Sequence, residues 1–353
     1  MKSCIYSIIF LFLLSSCSPR IISPLSNEEK YEYKKEELSE METLCNYLNG
    51  IVESGVNKKR EKYVYDKLKE ISDNIKRERI DIYSFQHNYI LEIKGTTDKI
   101  IYFTAHYDKT DLNIFKFSSV LVNGFLDEPF CWTMTSQGAI DNGTGVATLL
   151  ELADNLNKRK NYYTYRFLFP GSEESGLRGS RSHVARIKLN EWENIQCCIN
   201  VDCIGIKDEK LAIVLVKNDP NLTRLSIETA KENNFELVGL SNINGASDHI
   251  PFYKTNTALD FGRSFLYNAP GAFLPQRSYF TKSKSTPTLF FSSTGISDAR
   301  LVDLINPYLP LTIPNGNIHS YSDNLSRIDK KRFYEGYKLI YELVLKIENQ
   351  KIF

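Results

Sequence analysis

Residues 99–108 read KIIYFTAHYD. Ile100 to Phe103 is nearly all apolar, as expected for a central strand covered by helices on both faces; a half-exposed strand would alternate. A strand predicted over Lys99–Ala105 therefore runs out into a loop that begins with His106 and Asp108. Upstream, the turn Gly95-Thr96-Thr97-Asp98 separates it from a strand over Tyr89–Lys94, and another strand-like run covers Asp81–Phe85. Helical periodicity without Gly or Pro runs from Asn27 to about Leu48. A second helix is expected from about Lys58 to Lys76, with Tyr63, Tyr65, Leu68 and Ile71 on or near one side. Its Lys58-Lys59-Arg60 cluster reads as a solvated face.

Downstream the pattern alternates. Helices are expected over Val146–Leu156, Leu177–Ile187, near Leu222–Asn233 and from about Lys330 to Ile347. Strands are expected over Tyr165–Phe169, Ile195–Val201, Leu211–Val216 and Pro287–Phe291. This alternation predicts an α/β fold, a mostly parallel central sheet sandwiched between helices in a single domain, with the N-terminal helices packed onto it. Two aromatic-rich segments interrupt it: 109–138, with Phe115, Phe117, Phe125, Phe130 and Trp132, and 262–285, with Phe265, Tyr267, Phe273, Tyr279 and Phe280. Loops of that length in a compact domain are usually binding loops or lids, and both are expected at a pocket rim rather than over core elsewhere.

The chemistry-bearing residues stand where predicted strands run out. His106 is a candidate metal ligand, since neutral imidazole is the commonest protein ligand for zinc. Asp108 joins the catalytic set as the carboxylate that could bond the other ring nitrogen of His106 and fix its tautomer. In GAIDNGTG, residues 138–145, the glycines allow a carboxylate and backbone to approach a metal closely, which makes Asp141 the candidate to bridge two ions. The helix that follows would offer free N–H groups to an anion. In FPGSEESGLRGS, residues 169–180, adjacent acids are tolerable when one binds a dication and the other shares a proton with water. Glu174 is then the ligand and Glu173 the general base. NVDCIG, residues 200–205, adds Asp202. NIHSYSD, residues 317–323, adds His319, with Asp323 placed to orient it. Each motif alone has an ordinary explanation as a strand-end histidine, a helix cap or a dipole partner. Together they converge on the loop zone where open α/β sheets build their sites. Of the remaining histidines, His183 and His87 read as structural, and His249 in ASDHIPF is a candidate for the pocket border.

The formal charge of +1 leaves no basic excess for nucleic-acid binding, so no nucleic-acid partner is expected. With 21 Tyr and 20 Phe in 353 residues, a sizeable core can be buried. Lys2, the short apolar run Ile5–Leu14 and Leu14-Ser15-Ser16-Cys17 resemble a bacterial lipoprotein signal, an ordinary signal peptide or an uncut anchor being the alternatives. Residues 1–17 are then the signal, 18–26 a tether and 27–353 the domain. Lipid on Cys17 would hold the chain to a membrane of the cell envelope, outside the cytoplasm. Once Cys4 and Cys17 are set aside, five of the seven cysteines remain, and Cys197, Cys198 and Cys203 read as buried free thiols.

The motifs over about residues 100–325 resemble those of the co-catalytic di-zinc aminopeptidases of the bacterial leucyl aminopeptidase type. That family carries H-x-D, G-A-x-D-N-x-S-G, G-x-E-E-x-G-L-x-G-S, N-x-D-x-x-G and a late H-x-x-x-D. All five are present here in order, with Thr144 in place of the usual Ser. The resemblance implies a zinc exopeptidase-like fold and two zinc ions per chain. His106 and Asp202 would hold one, Glu174 and His319 the other, Asp141 would bridge them, and Glu173 would be the base. The implied reaction is hydrolysis of N-terminal residues from peptide substrates by activated water. The stretch between His106 and Asp141 is longer than expected for the family, which bears on substrate class.

The related glutaminyl cyclases, which would use a single zinc, share several ligands but usually follow the central Asp with Ser-Ala. Asn142 and Gly-Leu-Arg-Gly-Ser favour the peptidase reading. A third reading, a binding module with a silent zinc fold, is disfavoured by the intact Glu173.

Overall fold

The computed structural model of the chain describes residues 20–24, 34–81, 84–109, 136–241, 247–253, 285–296, 318–319 and 322–353. Cys17 and nearly all of the two expected rim loops lie outside the described residues.

Among the described residues, nine strands form one sheet: β1 (Arg20–Pro24), β2 (Ile75–Arg79), β3 (His87–Ile93), β4 (Ile100–Thr104), β5 (Thr164–Phe169), β6 (Ile195–Val201), β7 (Leu211–Val214), β8 (Val238–Ser241) and β9 (Thr288–Ser293). Their order is β1-β8-β7-β9-β6-β4-β5-β3-β2. Helices α1 (Lys35–Glu53), α2 (Asn57–Ile71), α3 (Thr144–Asn157), α4 (Arg178–Arg186), α5 (Leu189–Trp192), α6 (Pro220–Glu232), α7 (Ile250–Tyr253) and α8 (Lys330–Gln350) complete the fold.

β4 is the doubly covered strand that its composition requires, with all five residues buried. Ile101 and Phe103 face a core that also takes Leu48 and Ile51 of α1, Leu68 of α2, Leu149 of α3 and Ile340 of α8. Ile100 and Tyr102 face the opposite layer, with Val184 of α4, Trp192 of α5 and Phe252 of α7. The two-residue period of a strand thus serves two helical layers at once. Each fully buried Leu, Ile or Phe contributes roughly 1.5–3 kcal/mol of transfer free energy. Helix starts follow local chemistry: Asp219 accepts the amides of Asn221 and Leu222 ahead of Pro220 at the first turn of α6, and Asp329 accepts those of Lys331 and Arg332 on α8.

The sheet is α/β and sandwiched as expected, but mixed rather than mostly parallel. β5, β4, β6 and β9 run parallel at its centre, whereas β2 with β3, β3 with β5, β7 with β9 and β1 with β8 are antiparallel. The connections explain this. The links from β2 to β3 and from β6 to β7 are too short for a parallel crossover.

The second helix ends at Ile71 rather than Lys76, and the strand expected over Asp81–Phe85 is instead β2, Ile75–Arg79. That strand, IKRER, buries only Glu78. An edge strand carrying Lys and Arg has the composition of a helix surface, which is how such edges avoid further pairing. His87 opens β3 rather than sitting in a turn. The cluster at 58–60 is corrected at Arg60, which is fully buried, while Lys58 and Lys59 are exposed as expected.

Candidate metal centre

The parallel strands align their C-terminal ends. Thr104 of β4 pairs with Asn200 of β6 and with Leu168 of β5. His106 and Asp202 therefore leave neighbouring strands two residues beyond a matched pair, and Glu173 and Glu174 follow the end of β5. Asp141 comes from the turn before α3. Among the described residues two groups of donors result, each with its ligand atoms within 4.8 Å of one another: His106, Asp141 and Asp202, and Asp141, Glu174 and His319.

Asp141 belongs to both groups. Its Oδ1 is 3.1 Å from His106 Nε2, and its Oδ2 is 2.9 Å from His319 Nε2. His106 Nε2 is also 3.6 Å from Asp202 Oδ1, and His319 Nε2 is 3.1 Å from Glu174 Oε2. Glu173 is a donor in neither group, with its Oε2 3.9 Å from His106 Nε2. Six residues singled out in the sequence, His106, Asp141, Glu173, Glu174, Asp202 and His319, meet here.

The donor chemistry fits a cation. His106 Nδ1 lies 3.1 Å from the carbonyl of Asp108, an oxygen that can only accept, so this nitrogen carries the hydrogen. In the neutral ring Nε2 then turns a lone pair toward the carboxylates of Asp141 and Asp202. Acceptor facing acceptor in a buried site requires either a proton or a metal between them. Glu174 Oε1 is likewise buried with no hydrogen-bond partner among the described residues. A dication would satisfy both.

The electrostatics follow from crowding. Burial opposes ionisation of Asp141, but hydrogen bonds from His106 and His319 overcome it and hold the carboxyl far below its usual range. Burial also opposes the charged form of His106, but the carboxylates of Glu173 and Asp202 outweigh it and raise this imidazole well above its ordinary value. Glu173 is raised well above the usual carboxylate range, by burial first and then by the charges of Glu174, Asp248 and Asp202, with His106 pulling the other way.

The supports differ in part from expectation. The carboxylate of Asp108 does not make the principal contact to His106, since its Oδ1 is 3.6 Å from Nδ1 and the backbone carbonyl is nearer. That carboxylate instead accepts the amides of Glu173 at 3.1 Å and Glu174 at 3.3 Å, fixing the acidic turn. Asp323 accepts the amides of Ile140 (2.6 Å) and Asp141 (3.3 Å) and the hydroxyl of Ser136 (2.6 Å), so it holds the Asp141 turn. Burial, followed by the charge of Asp141, lifts Asp323 to about 7.

The start of α3 is not open to an anion. Asn142 Oδ1 accepts the amide of Gly145 at 2.9 Å, while its Nδ2 donates to the carbonyl of Val201 at 2.9 Å, which ties the Asp141 turn to the end of β6. Gly145 permits this, because a Cβ there would lie 2.3 Å from Asn142 Oδ1 and 2.4 Å from the Val201 carbonyl. Ser172, Cys203 and His319 adopt left-handed φ of 56°, 61° and 59°, a concentration of costly backbone beside the acidic groups.

Ser247 and Asp248 received no role from the sequence. Ser247 Oγ accepts from Asn200 Nδ2 and donates to Asp202 Oδ2, each at 2.8 Å. Asp248 is fully buried and is raised to about 7, mainly by burial. The signal was the polar Ser-Asp-His preceding a buried apolar turn. His249 is buried against Phe290, with ring centroids 4.7 Å apart. His183 is structural, its Nδ1 2.8 Å from Glu78 Oε2 and its Nε2 3.2 Å from the hydroxyl of Tyr102. Cys197, Cys198 and Cys203 are buried free thiols.

Comparison with known proteins agrees with this geometry. The chain is 31% identical to aminopeptidase YwaD of Bacillus subtilis over 159 residues, which span 44% of this chain and 30% of that protein. The match thus covers under a third of the length of that relative. In fold, the chain resembles a leucine aminopeptidase precursor from Bacteroides thetaiotaomicron with a TM-score of 0.60 and 16% identity, over 90% of this chain and 98% of that one. It also resembles a glutaminyl cyclase from an Acidobacteriales bacterium with a TM-score of 0.59 and 19% identity, over 92% and 99% of the two chains. A sequence profile, Peptidase family M28, matches residues 88–344, from β3 through every residue of the two donor groups and into α8. On that span, the chain belongs to peptidase family M28.

Proposed function

We propose that the protein is a zinc-dependent aminopeptidase that binds two ions per chain and releases N-terminal residues from peptides. The reading is carried by the division of the Asp141 carboxylate between His106 and His319, 3.1 and 2.9 Å away, which makes one side chain common to two donor groups. His106 and Asp202 would hold one zinc, Glu174 and His319 the other, and Asp141 both. Zinc, when bound, supplies positive charge that polarises a carbonyl and makes a water more acidic.

The side chains around it do the rest. Glu173, outside both donor groups, would take the proton of the attacking water and return it to the leaving amine. Asp108 holds the backbone of that glutamate through its amide, so the base has a fixed position. Asn142 and Ser247 keep Asp141 and Asp202 in register with the strand ends. The surrounding acids would attract the cationic amine of a free peptide N-terminus, which favours an exopeptidase.

The test is hydrolysis of aminoacyl anilides beside their N-acetylated forms. Turnover of the free amines alone, lost with a chelator and restored by zinc, is expected. Equal turnover of the blocked forms would exclude the exopeptidase reading.

We also propose that lipid on Cys17 anchors the chain to the cell envelope, outside the cytoplasm; residues 27–353 form one domain, to which Arg20–Pro24 of the expected 18–26 tether add the edge strand β1 against β8. The basic Lys2, the apolar run to Leu14 and the small residues before Cys17 support this. Among the described residues, no helix is long and apolar enough to cross a membrane. Metabolic labelling with palmitate should mark the wild-type chain and not Cys17→Ser; equal labelling of both would refute the anchor.

A further inference from the structure

We propose that Arg60 is a positioning residue for the metal centre, setting the separation between the loop that carries His106 and the turn that carries Asp141. Arg60 lies on α2, more than forty residues upstream of either ligand in the sequence, and is fully buried. Its Nε donates to the carbonyl of Tyr107 at 2.6 Å, its Nη1 to that of Gln137 at 3.2 Å and its Nη2 to that of Gly138 at 3.1 Å. The first acceptor is the residue next to His106, and the other two lead into the Asp141 turn. One rigid guanidinium thus spans both ligand-bearing segments.

Two further features belong to the same arrangement. Asn57, one turn earlier on α2, receives the amide of Lys109 at 3.0 Å and donates to its carbonyl at 3.1 Å, so the segment after His106 is held at two points. Gly138 has a φ of 62°, and a Cβ there would lie 2.7 Å from Lys109 Cβ and 3.0 Å from Arg60 Nη1. The chain passes against the guanidinium only because this residue has no side chain. Lysine cannot substitute, since an ammonium is a single point of donation and the three carbonyls need the separated donors of a planar fork.

This inference rests on the two-zinc reading and predicts an asymmetry within it. His106 belongs only to the group with Asp202, whereas Glu174 and His319 reach Asp141 from the far side. Loss of Arg60 should therefore weaken one zinc more than the other.

The experiment measures both zinc dissociation constants by chelator competition, and the visible spectrum of the cobalt-substituted protein, for wild type, Arg60→Met, Arg60→Lys and Leu68→Ala. Leu68 is a fully buried apolar residue of the same helix and controls for general destabilisation. Two measurable constants in the wild type test the two-zinc reading independently of Arg60. The expected result is one zinc weakened about 10-fold or more in Arg60→Lys, a range typical of lost support behind metal ligands, with the other weakened less and the cobalt spectrum altered. Arg60→Met should do the same if it folds, and Arg60→Lys decides the matter if it does not. Leu68→Ala should lower the melting temperature and leave both constants unchanged. Wild-type constants in Arg60→Lys, or equal weakening in Leu68→Ala, would overturn the proposal.

Discussion

Asp141 turns its Oδ2 to His319 Nε2 at 2.9 Å and thereby leaves Oδ1 for His106. One carboxylate in two donor groups makes the groups interdependent. Asp141→Asn should therefore reduce zinc binding at both positions, whereas Asp202→Ala should affect mainly the one shared with His106. Metal analysis after dialysis against a weak chelator checks this. Loss of only one ion in Asp141→Asn would show that the carboxylate does not bridge.

Glu173→Gln keeps the shape of the side chain and removes its capacity to accept a proton. Because Glu173 is a donor in neither group, zinc content should be unchanged while kcat falls about 10²–10⁴-fold, the usual range for a lost general base. Single-turnover rates together with metal content measure both. A variant with wild-type kcat would assign the proton transfer elsewhere.

Gly145→Ala would drive a methyl group to 2.3 Å from Asn142 Oδ1 and 2.4 Å from the Val201 carbonyl. Relief requires the Asp141 turn to part from the end of β6. The expected cost is about 1–3 kcal/mol, as for an overpacked core, with weakened zinc binding. Urea denaturation of the zinc-free chain isolates the packing effect, and an unchanged midpoint would contradict it.

Much of this centre was legible because its ligands follow strands whose apolar runs are conspicuous. KIIYFTAHYD announces both the doubly covered strand and the imidazole after it, and the register of β4 with β5 and β6 does the rest. What was not legible are the residues whose role depends on distant partners. Arg60 sits in a basic helix cluster and looks solvated, yet its acceptors lie near residues 107 and 138. Asp323 was expected on His319 but instead holds the amides of Ile140 and Asp141. The charged edge strand β2 has a helical composition because its exposed side chains face water and only Glu78 turns inward.

Glu151, on α3, is buried between helices and raised to about 7, mainly by burial, with Asn155 opposing and the charges of Asp154 and Glu40 adding to it. A raised folded-state value means that the folded chain holds this proton more tightly than the unfolded chain. Its contribution is fully present below about 4.5 and is lost as pH rises to about 7. Glu151→Gln should thus gain stability over wild type with rising pH, reaching of order 1–3 kcal/mol above neutrality. Melting temperatures of the two proteins from acid to mildly alkaline pH test the sign. A constant difference would mean that Glu151 titrates normally.

The most direct test of the central claim is zinc stoichiometry measured together with the products formed from aminoacyl anilides and a glutaminyl peptide. The account predicts two zinc ions per chain and release of free amino acids. One zinc per chain with ammonia released from the glutaminyl peptide would contradict it, and would make His106 and Asp202 supports of a single-metal cyclase rather than ligands.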